Sequence, residues 1–149
     1  MKNIACLLVG AVFLLGCEQE KESSVSLFKE SNVGDLAKPY VTAGNRMYCV
    51  GFQDGSFPPM GDHVKGEMGG VWTQPIKLLD QFELTVAAPE KNIHLDHLKA
   101  SRFTTFPHQV QWVYVLDSLQ ADVVCTLFVP EKERSLQVKY DIVNRGSRL

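Results

Sequence analysis

The sequence predicts an all-β fold, an antiparallel β-sandwich, on three observations. Residues 135–143 (SLQVKYDIV) alternate, with Leu136, Val138, Tyr140 and Ile142 on one face and Gln137, Lys139 and Asp141 on the other. That period of two is the pattern of a strand with one face on a core. Residues 110–116 (VQWVYVL) and 123–129 (VVCTLFV) are nearly continuous apolar runs of strand length, rich in β-branched and aromatic residues, which predicts central strands covered on both sides. Helical spacing is weak elsewhere, and residues 93–100 (IHLDHLKA) alone carry enough of it for a short helix.

Shorter strand candidates lie at residues 46–52, 82–86 and 103–106. Turn chemistry separates them at Asp54-Gly55, Phe57-Pro58-Pro59, Ala88-Pro89 and Asp117-Ser118. Six or more strands of irregular spacing with one-sided and two-sided burial favour an antiparallel sandwich.

The N-terminus stands apart from this pattern. Residues 1–16 open on Lys2 and continue nearly all apolar or small, too short a run to span a bilayer and suited to an export signal. Its last residues, Leu14-Leu15-Gly16-Cys17, resemble the lipobox of bacterial lipoproteins, in which the cysteine becomes acylated and then becomes the first residue. The resemblance implies a lipid anchor at Cys17, which needs no spanning helix because buried acyl chains contribute about 0.8 kcal/mol per CH₂. Residues 17–37 are polar and acidic with few large apolar groups, and are expected to form a flexible tether. Glu18 follows the cysteine. By the sorting rules of Gram-negative lipoproteins, in which Asp at that place favours inner-membrane retention, this implies the outer membrane.

Residues 38–149 are long enough for one domain. The whole chain carries a formal charge of −2. Removing residues 1–16 takes away Lys2 and no acid, leaving −3. Neither a nucleic-acid footprint nor a strongly acidic tail is present.

Residues 40–48 (YVTAGNRMY), 51–55 (GFQDG), 60–72 (MGDHVKGEMGGVW) and 75–80 (PIKLLD) together resemble the N-terminal region of glycogen-debranching-type glycosidases with an α/α six-hairpin barrel. Residues 139–146 (KYDIVNRG) are similar to the strand and turn of the β-supersandwich that precedes such barrels. The resemblance implies a partial supersandwich, incomplete at its C-terminus, that packs beside a catalytic barrel and helps shape the substrate cleft. The chain ends at Leu149, before any barrel. Glycoside hydrolysis needs two carboxylates about 5 to 10 Å apart across the scissile bond, and in that family both come from the barrel. No catalytic role is therefore carried onto Asp54, Asp62, Glu67 or Asp80. The expected function is a membrane-anchored accessory sandwich, truncated before the chemistry and inactive alone. The alternative is a non-enzymatic surface lipoprotein that binds a glycan or a protein partner.

Residues 61–84 hold the side chains most suited to contacting a ligand. Glycines there permit positive φ and close approach, and His63, Glu67 and Trp72 lie on the same stretch. His63 and Glu67 suit hydroxyl recognition or a barrel-facing loop, against the plainer reading of a solvated loop pair. Trp72 is either a sugar-stacking platform or, more commonly for such a tryptophan, core or interface filling. His94 and His97 have the spacing of two metal ligands, but a four-coordinate site needs more than this stretch supplies, so no metal or other cofactor is expected. Lys77 with Asp80 reads as a surface pair of little worth. Cys49 and Cys125 fall in predicted strands of an exported chain. They either form a disulfide, which would contribute about 2–4 kcal/mol, or are small buried hydrophobes.

Overall fold

The computed structural model describes residues 29–32, 36–57, 59–61 and 67–146. The strands are, in chain order, β1 (Lys29–Asn32), β2 (Pro39–Ala43), β3 (Tyr48–Phe52), β4 (Gly70–Thr73), β5 (Ile76–Leu79), β6 (Val86–Ala88), β7 (Ile93–Leu95), β8 (Arg102–Thr105), β9 (Gln109–Leu116), β10 (Ala121–Phe128) and β11 (Gln137–Asn144). They build a five-stranded sheet in the order β1-β8-β9-β10-β11, a four-stranded sheet in the order β2-β3-β4-β5, and the hairpin β6-β7. Every pairing is antiparallel. Helix is confined, among the described residues, to single 3-10 turns at Pro89–Lys91 and Asp117–Leu119. The chain is an all-β sandwich, as its alternation predicts.

Register explains how the two sheets meet. Phe103 on β8 lies opposite Trp112 on β9, Trp112 opposite Cys125 on β10, and Cys125 opposite Tyr140 on β11. Directly opposed residues share a face, so one row crosses the inner side of the larger sheet. From the smaller sheet Tyr40 on β2 descends onto that row, its ring 5.1 Å from Trp112 in an edge-to-face arrangement and 5.5 Å from Phe103. Cys49 on β3 and Val71 on β4, themselves a cross-strand pair, complete the inner side of the smaller sheet. Trp112, Phe103, Leu127 and Val110 are the largest fully buried side chains of the five-stranded sheet. Truncating an aromatic at such a position costs about 3–5 kcal/mol.

Four features differ from the sequence-based expectations. The strands at residues 110–116 and 123–129 are buried on one face only. In β9 Val110, Trp112, Tyr114 and Leu116 are buried while Gln111 and Val113 are half-buried and Val115 is exposed. A two-layer sandwich has nothing to cover the other face, and the outward valines are there as good strand formers. Residues 93–100 contain no helix: Ile93–Leu95 pairs with Val86–Ala88 across a 3-10 turn that Asn92 closes in the left-handed region. Within the stretch read as tether, Lys29–Asn32 instead forms the edge strand β1 on β8, with Glu30 within 4.0 Å of Arg102. Finally, the inner face of β11 is only partly covered. Leu136 and Val138 pack on the core, but Tyr140 is 41% and Ile142 75% exposed, because the smaller sheet leaves that end of the larger one uncovered.

Candidate ligand pocket

At one end of the sandwich the chain leaving β3 folds back over β9. Asp54 accepts hydrogen bonds on Oδ1 from the Ser56 backbone N–H at 3.0 Å and the Ser56 hydroxyl at 2.6 Å, a side-chain turn that mimics a backbone one. Phe52 N–H donates to the Ser56 carbonyl and Gly55 N–H to the Phe52 carbonyl, both at 2.9 Å. Gly55 sits at φ +87°, and a Cβ there would lie 2.4 Å from the Tyr114 hydroxyl oxygen. Glycine is therefore required twice, by backbone and by space.

A second segment is tied to the first. Ala100 N–H donates to the Asp54 carbonyl at 2.9 Å, and Lys99 Nζ stands 3.5 Å from Asp54 Oδ2. The His97 backbone N–H donates to Glu83 Oε1 at 3.0 Å, and His97 Nδ1 lies 2.6 Å from the same oxygen. These bonds hold residues 81–84 against residues 97–100. Phe57 and Phe82 close the side, their rings tilted with centroids 4.7 Å apart.

The three segments enclose a half-open recess of about 380 Å³, within the size range of small-molecule sites. Phe57, Phe82, Leu84 and Leu98 form apolar walls, and Tyr114 contributes the floor. The rim is polar, with Gln81, Glu83 beside His97, and Lys99, whose ammonium stands 3.5 Å from Asp54 just outside the recess. Burial works against the charge on Asp54, yet the Ser56 hydrogen bonds and Lys99 hold its carboxyl below the ordinary value. Burial, then nearby Cys125, Tyr140 and Asp54, pushes the Tyr114 hydroxyl well above its ordinary range, so it stays protonated. The recess thus offers an apolar wall of two mutually tilted rings, a neutral hydroxyl beneath and both acceptors and donors at its mouth.

The residues singled out from the sequence are not gathered here. Cys17 and His63 lie outside the described residues, as does Asp62. Glu67 is half-buried ahead of β4. Trp72 lies in a cross-strand row with Tyr48 on one side and Lys77 on the other. The Tyr48 ring is parallel to it within 4° at 6.1 Å, Lys77 Nζ is 5.6 Å from its ring centre, and its Nε1–H donates to the Gly69 carbonyl at 3.1 Å. The half-buried indole thus sits on the sheet surface between its two strand neighbours, away from the recess lined by Phe57 and Phe82. His94 and His97 turn to different carboxylates, Asp96 and Glu83, and no group of three or more metal-ligating side chains occurs among the described residues. Lys77 meets Asp80 at 2.6 Å. Cys49 and Cys125 face the core from opposite sheets as separate buried thiols.

Of the pocket residues, the Asp54-Gly55 turn was legible as a turn. Glu83 was not, because its partner His97 is 14 residues away and nothing local links them. No family model, curated protein or solved structure matches this chain.

Proposed function

We propose that this chain is a lipid-anchored, non-catalytic β-sandwich of the bacterial cell envelope that binds a glycan in the recess between residues 55–57 with Pro59, 81–84 and 97–99. The observation that carries this reading is the juxtaposition of the Phe57–Phe82 wall with Gln81, Glu83, His97 and Lys99 at the mouth. A pyranose has an apolar face that suits an aromatic wall, and an edge of hydroxyls that both donate and accept, which suits a rim of a carboxylate, an ammonium and an amide. The likeness of Leu14-Leu15-Gly16-Cys17 to a lipobox, with Glu18 after it, supports the part of this reading that concerns anchoring at the outer membrane of a Gram-negative cell.

The test is glycan-array binding by the purified protein with variants. Phe82→Ala and Glu83→Gln are expected to weaken binding of any glycan the wild type retains, and Trp72→Ala is expected to leave it in place. Absence of binding above background by the wild type would contradict the reading.

A second reading, the accessory sandwich of a glycogen-debranching-type glycosidase, is favoured by a different observation. Within the glycine-rich block Met68 is 55% exposed, and on β5 Ile76 is 60% exposed with Leu78 and Leu79 exposed as well. Such an apolar strip is what a domain interface leaves wet when its partner is absent. Sequencing the coding DNA beyond codon 149 tests it, an in-frame α/α barrel being the expected finding and its absence the contrary one.

A further inference from the structure

The open edge of the larger sheet has its own complementarity. β11 runs eight residues, Gln137–Asn144, and pairs with β10 in unbroken register along its whole length. On its other side it pairs with no strand among the described residues. It contains no proline and no bulge, two of the devices that blunt an edge, and its one lysine, Lys139, is paired with Asp141. Its inner row is Val138, Tyr140 and Ile142, opposite Leu127, Cys125 and Val123. Its outer row carries the exposed Lys139 and the half-buried Asp141, 2.9 Å apart.

We infer that β11 pairs antiparallel with β11 of a second copy of this chain, about a two-fold axis through Tyr140. In that register Lys139 of each copy faces Asp141 of the other, Val138 faces Ile142, and Tyr140 faces its own equivalent. Both charge contacts and the apolar row are satisfied at once, as an isologous interface requires. Moving the partner by two residues in one direction sets Lys139 against Lys139, and in the other Asp141 against Asp141, which like-charge repulsion disfavours. A slip of one residue turns the apolar row onto the charged face. The pairing makes one continuous sheet through both copies and brings the exposed Ile142 of each beside the Val138 of the other. Charge complementarity thus selects a second copy as the occupant of this edge.

The test is sedimentation of the full chain in detergent over a concentration series. The wild type is expected to be dimeric. Asp141→Lys and Lys139→Asp, each alone, set like charges opposite at two contacts per dimer and are expected to weaken self-association roughly tenfold or more. An equimolar mixture of these two variants is expected to restore the dimer, because acid then faces base at both contacts. The double variant Lys139→Asp/Asp141→Lys is likewise expected to dimerise. Circular dichroism checks that the outward-facing substitutions leave the fold intact. A wild type that is monomeric throughout overturns the inference, and so does a dimer indifferent to both single variants. A mixture that fails to recover the dimer overturns it as well.

Discussion

Gly55 packs directly over the Tyr114 hydroxyl, with room for no side chain between them: a Cβ on Gly55 would approach Oη to 2.4 Å while the backbone holds φ at +87°. The contact joins the loop after β3 to the centre of β9 and sets the floor of the recess. Gly55→Ala is expected to destabilise the protein by about 2–4 kcal/mol, combining positive-φ strain with a displaced Tyr114. A fall in the urea midpoint measures the cost. An unchanged midpoint would show that the loop is free to move off Tyr114.

The aromatic row predicts a larger loss. Phe103 touches both Trp112 and Tyr40 and is fully buried. Phe103→Ala should cost about 3–5 kcal/mol, and Phe103→Leu appreciably less, since it keeps most of the volume. Chemical denaturation of the two variants side by side makes the comparison. Equal losses would mean that the inner faces of the two sheets do not meet at this row.

Trp72 distinguishes packing from recognition. Removing its side chain gives up the parallel contact with Tyr48 and the Lys77 ammonium over its ring. Aromatic pairs of this kind and exposed cation–π contacts are worth about 0.5–1.5 and 0.5–1 kcal/mol respectively. Trp72→Ala is thus expected to lower stability by roughly 1–3 kcal/mol while ligand binding is kept. Loss of binding with stability unchanged would reverse that assignment.

The thiols give the protein an alkaline limit. Burial pushes Cys49 and Cys125 each up to about 11 from 9.0, partly offset by hydrogen bonds with Tyr40 and Tyr140 respectively. In the unfolded chain they ionise near the ordinary value, so from about pH 9 to about pH 11 the unfolded state holds fewer protons than the native one. Their contribution is therefore complete below pH 9 and is lost as pH rises through that window, by an amount on the order of a few kcal/mol in total. The Tyr40 and Tyr114 hydroxyls, raised by burial as well, act in the same direction. Urea midpoints at rising alkaline pH are expected to fall. Peptide mapping of unreduced native protein should find both cysteines unmodified and reactive only after denaturation, whereas a mapped Cys49–Cys125 bridge would contradict the free thiols of the core.

How much of this was written in the chain varies with the range of the interaction. The alternation of residues 136–142 identified β11 because its signal is local, and the turns at Asp54-Gly55 and Ala88-Pro89 were readable for the same reason. The continuous apolar runs misled about burial: Val115 is apolar yet exposed, since strand propensity fills outward positions with the same residues that a second covering layer would demand. Residues 93–100 have helical spacing, but Asn92 in the left-handed region turns them into the return strand of a hairpin. The recess was not legible. Its walls meet only because Ala100 binds Asp54, His97 binds Glu83 and Phe57 reaches Phe82, contacts between segments that carry no shared sequence mark. Attention to Trp72 followed residue type, and Tyr48 and Lys77, which occupy its flanks, come from neighbouring strands that only register brings together.

The central claim, that ligand recognition belongs to the recess and not to the tryptophan surface, is tested most directly by titrating isotopically labelled protein with the glycan the array selects and following backbone amide shifts. The account predicts saturable changes concentrated at Gly55, Phe57, Phe82, Leu84 and Leu98, with Tyr48 and Trp72 silent. Changes centred on Tyr48 and Trp72, or no saturable change anywhere, would contradict it.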